Sequence, residues 1–114
     1  MAIDLQKYQD LYFQEADRFL TQMHEGLVRK DIPTLHRLSH SMKSRSLVMG
    51  YPQLGNMGKA LEFYFRDINE GTRTAPSDLA NVIQPMLDTI KSSLEDIKAG
   101  NPEHDMTTRI TQLD

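Results

Sequence analysis

The fold is decided by residues 4–34, which read DLQKYQDLYFQEADRFLTQMHEGLVRKDIPT. Apolar side chains recur here at steps of three and four residues, a spacing that places them on one face of an α-helix. The positions of this face are Leu5, Tyr8, Tyr12, Ala16, Phe19, Leu20, Met23 and Leu27. Asp31 is a helix-capping residue type, and Pro33 suits the first turn of a helix. We therefore expect one helix from about Asp4 to Arg29 and a second helix that starts after it.

The same spacing returns in three further stretches of the chain. The inward-facing positions are Leu35, Leu38, Met42, Ser46 and Met49 in the second helix, Leu54, Met57, Leu61, Phe65 and Ile68 in the third, and Leu79, Ile83, Met86, Ile90, Leu94 and Ile97 in the fourth. Gly50 is expected to end the second helix as a left-handed cap, and Gly71 closes the third. Ser77 or Asp78 is expected to cap the fourth helix. Pro85 lies inside that helix, where it is expected to kink the helix or delay its start.

The periodicity ends at Gly100, and we expect residues 101–114 to form a frayed tail or the start of a linker. Residues 1–100 then make up a single domain. Because short connections join helices that lie side by side, the pattern favours an antiparallel, up-down four-helix bundle. The predicted fold class is therefore all-α.

Length and composition exclude several classes of protein. A chain of 114 residues has room for one domain of ordinary size and not for a second, nucleotide-binding one. The chain has no cysteine, which excludes disulfides, thiolate metal sites and a cysteine nucleophile. A net charge of −3 without a basic cluster argues against nucleic acid as a partner. No apolar run is long enough to span a membrane and the start lacks a secretory signal, so we expect a cytoplasmic domain without a membrane partner.

Residues 36–51 are too polar for a plain bundle helix and read HRLSHSMKSRSLVMGY. One face of this helix is predicted to carry His36, His40, Lys43, Ser44 and Leu47. An imidazole is nucleophilic near neutral pH, and an ammonium group offers positive charge to a phosphate. The small hydroxyl residues leave room for approach. This face therefore suits a reactive nitrogen that meets a phosphoryl group.

Several spacings repeat a known pattern around His40. Arg37 lies three residues before His40 and Lys43 three residues after it. The small residues Ser44 and Ser46 follow, and Gly50 and Tyr51 are the tenth and eleventh residues after His40. Further features are the upstream run FQEADRFL at residues 13–20 and the pair Leu61-Glu62 beyond Gly50. The upstream run fits the first-helix pattern F-x-E-A-x-x-x-L. Together these features resemble the histidine-containing phosphotransfer (HPt) domain family, specifically the N-terminal phosphotransfer domain of CheA-type chemotaxis histidine kinases. The resemblance covers about residues 3–98.

The resemblance implies a role for each of three side chains. His40 would accept the γ-phosphoryl group of ATP on Nε2, and Glu62 would accept a hydrogen bond from Nδ1–H and so fix the tautomer. Lys43 would offset part of the phosphate charge. The phosphoryl group would then pass to an aspartate of a CheY-type response regulator. The chain has no glycine-rich phosphate loop, so ATP and Mg would be bound by a partner histidine-kinase catalytic domain, with no cofactor in this domain.

Some positions depart from the family pattern or concern partner recognition. Lys59 stands where CheA-type domains commonly have a second histidine, and it would place another cation near the phosphate. Ser44 replaces a frequent glycine. We expect Ser44, Arg45, Leu47 and Tyr64 to contribute to docking of the regulator. One or two of the consecutive aromatic residues 63–65 are expected to be exposed.

Other interpretations of the same residues remain. His40 could be an ordinary exposed helix histidine, and His36 with His40 could form half of a metal site. No motif supplies further ligands, so we expect no metal. The chain could also be a helical bundle that only binds a partner. A stand-alone phosphotransfer protein outside chemotaxis is a further alternative.

Overall fold

The computed structural model describes residues 4–113 as an assembly of α-helices and turns without a strand. The helices are α1 (Leu5–Arg29), α2 (Ile32–Val48), α3 (Pro52–Glu70), α4 (Leu79–Lys98) and α5 (Thr107–Thr111). None of the helices in this part of the chain is long and apolar enough to cross a membrane. The predicted all-α bundle of four main helices is confirmed, and the short α5 adds to it.

Local chemistry ends the helices where the sequence predicts. The Asp31 side chain accepts a hydrogen bond from the backbone N–H of Thr34 at 3.3 Å and so caps the start of α2. Gly50 follows α2 with φ of 81°, and Gly71 follows α3 with φ of 83°. A left-handed backbone is costly for residues with a Cβ, so glycine suits both positions. The resulting connections are short, and neighbouring helices run antiparallel.

The core lies between the four long helices. α1 packs against α2 and α4, and the contact between α2 and α3 is the most extensive in the bundle. The largest fully buried side chains are Phe65, Met23, Leu35, Leu54, Met57, Leu61, Ile83, Met86, Ile90, Leu94 and Met106. Nearly all of them occupy inward-facing positions predicted from the helical periodicity. Methionines fill gaps in this core because their side chains are unbranched and flexible.

The first two turns of α1 differ from the prediction. Leu5 and Tyr8 belong to the apolar stripe of the sequence, yet they are 71% and 56% exposed. The buried stripe starts at Tyr12, whose hydroxyl is 2.8 Å from Ser46 Oγ near the end of α2. α1 is the longest helix, and its first two turns are left largely uncovered by the other helices. Periodicity identifies the face of a helix but not how much of that face its neighbours cover.

Pro85 neither delays nor interrupts α4. The helix begins at Leu79 and continues through Pro85 to Lys98. A proline inside a helix removes one backbone hydrogen bond, which the surrounding packing can compensate. Met86 and Leu87, which follow Pro85 directly, are both buried in the core. The expected delay of the helix start is therefore wrong.

Residues 101–113 are packed against the bundle, so the expectation of a frayed tail is wrong for them. Both carboxylate oxygens of Glu103 accept hydrogen bonds at the start of α3, from the backbone N–H groups of Gln53 at 2.9 Å and Leu54 at 3.0 Å. Met106 is fully buried, and Leu113 is 4% exposed. Helix N-termini leave such N–H groups unpaired and favour negative charge, which explains why a carboxylate docks there.

The same segment is held from α4 as well. The His104 backbone N–H donates to Ser93 Oγ at 2.9 Å, and its side chain pairs with Asp96. α5 contacts both α3 and α4. The apolar residues in and beside α5, Met106, Ile110 and Leu113, are spaced by four and three, and this spacing is the signal in the sequence that predicts the packing.

Candidate functional site

His40 and Glu62 meet where α2 packs against α3. His40 Nδ1 is hydrogen-bonded to Glu62 Oε2. The imidazole side chain is 58% exposed, whereas that of Glu62 is only 9% exposed. An ionised carboxylate can only accept hydrogen bonds, so the shared proton belongs to Nδ1. In the neutral imidazole the other ring nitrogen, Nε2, then carries the lone pair and is available to an incoming group.

Lys43 binds the other oxygen of Glu62, so that His40, Glu62 and Lys43 form one cluster of side chains. Its ammonium group donates to Glu62 Oε1 at 2.7 Å. The family resemblance predicts Lys43 beside a phosphate. In the structure Lys43 lies one helical turn from His40, and its ammonium group contacts the carboxylate of Glu62. Each oxygen of Glu62 therefore has its own donor. This arrangement holds the carboxylate in one orientation towards the imidazole.

The protonation state of Glu62 follows from these contacts. Burial disfavours the charged form and by itself would raise the pKa of this carboxyl. The hydrogen bonds from Lys43 and His40, together with the positive charge of Lys43, outweigh that cost and hold the pKa of Glu62 below its ordinary value. Glu62 is therefore ionised at neutral pH and acts as an acceptor for the histidine.

Two glycines of α3 allow the close approach of the helices that carry the cluster. Gly55 faces the side chain of Leu47, and Gly58 faces the backbone of Lys43. Both glycines are buried. They do not stand out in the sequence, because their role depends on the atoms of the facing helix. The spacing G-x-x-G on the inward side of α3 is the signal that could have indicated it.

Comparison with known proteins assigns the family. A family model described as the Hpt domain matches residues 7–100, a range that includes all three side chains of the cluster. The chain belongs to the Hpt domain family. It is also similar to the chemotaxis protein CheA of Bacillus subtilis (strain 168), with 25% identity over 121 residues, covering 98% of this chain and 18% of that protein. The chain thus spans less than a fifth of the length of this relative. Phosphotransfer in two-component signalling is the function that these matches support.

Three of the residues predicted to dock the regulator lie on the surface of this Hpt domain. Ser44, Arg45 and Leu47 are all exposed on α2. The Arg45 guanidinium forms an ion pair with Glu15 of α1. Leu47 is 50% exposed. Ser44 and Leu47 continue the face of His40, one and two turns further along α2, whereas Arg45 points towards α1 and Leu47 packs beside Gly55 of α3.

Tyr64 is not a surface residue, which corrects its assignment to the docking surface. It is 6% exposed and packs edge to face against Phe65, while the guanidinium of Arg73 covers its ring. The aromatic side chain that does reach the surface is Phe63, which is 39% exposed. Three consecutive helical residues point in three directions, so at least one of them must leave the core.

Lys59 lies on the outer side of α3. Its ammonium group is 5.6 Å from the centre of the Phe63 ring, and Arg66 covers the same ring at 4.5 Å. The oxygens of Glu62 are already bonded to His40 and Lys43. Lys59 therefore lies against the exposed Phe63 ring and makes no hydrogen bond to the carboxylate of Glu62.

The possibility of a metal site at His36 and His40 gains no support from their surroundings. Across residues 4–113, no three or more histidine, aspartate or glutamate side chains are grouped so that they could hold a metal ion. His40 instead has the single carboxylate of Glu62 as its partner. One carboxylate on Nδ1 orients a working imidazole.

Proposed function

We propose that His40 of this domain carries a phosphoryl group from ATP to an aspartate of a response regulator. A separate histidine-kinase catalytic domain would bind ATP and Mg and supply the group, so that this domain needs no cofactor of its own. The observation that carries the proposal is the hydrogen bond between His40 Nδ1 and the ionised, buried Glu62. It leaves Nε2 as the nucleophile on a ring that is 58% exposed.

The transfer onto His40 needs no net proton movement. The Nε2 lone pair attacks the γ-phosphorus, an Nε2–P bond forms, and the P–O bond to the leaving ADP breaks. Nδ1 keeps its proton throughout, so the phosphorylated ring gains positive charge. Glu62 faces that charge with its carboxylate, and this favours the phosphorylated state.

The transfer to the regulator is the reverse process with a different acceptor. An aspartate oxygen of the regulator attacks the phosphorus, and the Nε2–P bond breaks. The ring returns to its neutral form with the proton still on Nδ1, hydrogen-bonded to Glu62. The electron pair of the broken bond remains on Nε2, ready for the next cycle.

The neighbouring residues have supporting roles in this proposal. Lys43 holds the second oxygen of Glu62 and brings positive charge within one turn of the phosphate. Lys59 adds a further cation on the adjoining helix. Ser44, Arg45 and Leu47 would contact the regulator, since they are exposed on the helix that carries His40.

We infer that the pathway is chemotaxis, that the regulator is of the CheY type and that the domain acts in the cytoplasm as part of a CheA-type kinase. The support is the similarity of the whole chain to CheA of Bacillus subtilis. A stand-alone phosphotransfer protein outside chemotaxis is the alternative. The rate of transfer to CheY-type regulators, compared with that to regulators of other pathways, discriminates between them.

The function is tested by incubating the domain with a CheA-type catalytic region and ATP labelled on the γ-phosphate. We expect label that is lost in acid and retained in alkali, as a phosphoramidate bond requires. His40→Gln should abolish labelling, whereas His24→Gln, a control at an exposed position on α1, should label normally. Normal labelling of His40→Gln would overturn the assignment, and loss of label in His36→Gln alone would move the acceptor to His36. A wild-type domain that takes no label would favour a bundle that only binds a partner.

A further inference from the structure

We propose that Gly58 is a positioning residue for the phosphorylation site, because its missing side chain sets the distance between α2 and α3 at Lys43. This distance lets Glu62 reach both His40 and Lys43. The kinetic consequence rests on the proposed function of His40. The structural consequence, a change in the hydrogen bond at Nδ1, does not depend on it.

The helices leave no room for a side chain at Gly58. A Cβ atom there would lie 2.7 Å from the backbone nitrogen of Lys43 and 2.8 Å from its Cα. Ordinary contacts between non-bonded atoms lie near 3.5 Å, so the added methyl group would intrude by about 0.7 Å. Backbone atoms in the middle of a helix cannot rotate away. The clash can be relieved only by moving one helix away from the other.

Gly55 provides a contrast on the same helix and in the same interface. A Cβ atom at Gly55 would lie 2.5 Å from Cδ2 and 2.7 Å from Cγ of Leu47. Those atoms belong to a side chain that is 50% exposed and can turn towards solvent. An alanine at position 55 therefore adds the same methyl group to the same helix without forcing the helices apart.

The clash at Gly58 falls where the hydrogen bonds of the cluster depend most on the distance between α2 and α3. Glu62 follows Gly58 by one helical turn on the same side of α3, and Lys43 lies opposite both residues. Moving the helices apart at Lys43 lengthens the 2.7 Å bond between Lys43 Nζ and Glu62 Oε1 and withdraws the carboxylate from His40. Lengthened by about 0.7 Å, this bond would lie outside the range of about 2.7–3.2 Å that hydrogen bonds to oxygen normally span. The tautomer of His40 would then no longer be held.

The test compares Gly58→Ala and Gly55→Ala with the wild-type domain, using phosphoramidate as the phosphoryl donor so that no partner protein is needed. Nε2 attacks the phosphorus, the P–N bond of the donor breaks, and ammonia leaves. We expect Gly58→Ala to react about tenfold more slowly or worse, since small misplacements in a reacting site have such effects. Gly55→Ala should stay within about twofold of the wild type, and nitrogen NMR should show Nδ1–H as the main His40 tautomer in it but not in Gly58→Ala.

A double-mutant cycle with Glu62→Ala shows whether Gly58 acts through Glu62. If it does, Gly58→Ala slows the wild-type domain but has little further effect once Glu62 is gone. An equal effect in both backgrounds would overturn the proposal, as would equal rates and tautomers for the two alanine variants. A Gly58→Ala variant that does not fold by circular dichroism would also overturn it, by showing a role in the bundle as a whole. Failure of the proposed function is distinguishable from these results, because in that case the wild-type domain itself would take no phosphoryl group at His40.

Discussion

Glu103→Ala is expected to destabilise the whole domain, although Glu103 lies beyond the fourth helix. Its carboxylate accepts from the N–H groups of Gln53 and Leu54, the second and third residues of α3. No side chain at the preceding Tyr51 caps this helix. Removing the carboxylate therefore leaves two backbone donors unpaired, and the one at Leu54 belongs to a fully buried residue.

The loss is estimated from the two bonds that disappear. Removing a helix cap costs up to about 2 kcal/mol, and leaving a buried donor unpaired costs about 1–3 kcal/mol. We therefore expect Glu103→Ala to lower the free energy of unfolding by about 2 kcal/mol, or the melting temperature by about 8 °C. Glu103→Gln should lose about half as much, since one amide oxygen still accepts while the NH₂ group faces a donor.

The effect is measured by urea and thermal unfolding at pH 7 with circular dichroism, with Glu25→Ala on the exposed side of α1 as the matched control for removing one negative charge. Hydrogen exchange should also show that the amides of Gln53 and Leu54 lose protection in Glu103→Ala. A loss below about 0.5 kcal/mol, the level of ordinary surface substitutions, would show that Glu103 does not cap α3 in solution. It would mean that residues 101–113 are frayed in solution.

Three further outcomes are expected. Glu62→Gln should slow phosphorylation of His40 by about tenfold to a hundredfold in the labelled-ATP assay while the domain stays folded by circular dichroism, and an unchanged rate would assign the orienting role elsewhere. The lowered pKa of Glu62 means that its ionised form stabilises the fold above the ordinary glutamate pKa of about 4.3 and that this contribution is lost as the pH falls through the lower native value. The stability difference between wild type and Glu62→Gln, measured by urea unfolding, should therefore shrink between pH 7 and pH 3, and a constant difference would contradict it. Tyr12→Phe should cost about 1 kcal/mol, measured in the same way, because the buried hydroxyl contact with Ser46 is lost, and a neutral result would show that Ser46 finds another partner.

The long helices could be predicted from the sequence because their causes are local. The apolar spacing of three and four residues, the cap at Asp31 and the left-handed glycines Gly50 and Gly71 act within a few residues of themselves. The exceptions depend on residues that are distant in the sequence. Tyr8 lies on the apolar stripe but is left exposed by the neighbouring helices, and Glu103 binds a helix start fifty residues earlier in the chain.

The residues of the candidate site could be predicted from the sequence more fully than the directions in which their side chains point. The family resemblance identified His40, Lys43 and Glu62, and the structure brings these three together. Which residue of the aromatic run faces outwards could not be predicted, since this depends on the rotation of α3 against its neighbours. Phe63 is on the surface and Tyr64 is buried, the reverse of the expectation for Tyr64.

Four amphipathic helices and a polar face with a reactive histidine follow from the amino-acid sequence alone, because helical periodicity and capping depend on neighbouring residues. That Glu62 bonds both His40 and Lys43, and that residues 101–113 pack on the start of α3, depends on how the helices are arranged in space. Both arrangements depend on distances between atoms far apart in the chain. Such distances are set by how closely the helices pack, and at Lys43 the packing is as close as the absence of a side chain at Gly58 allows.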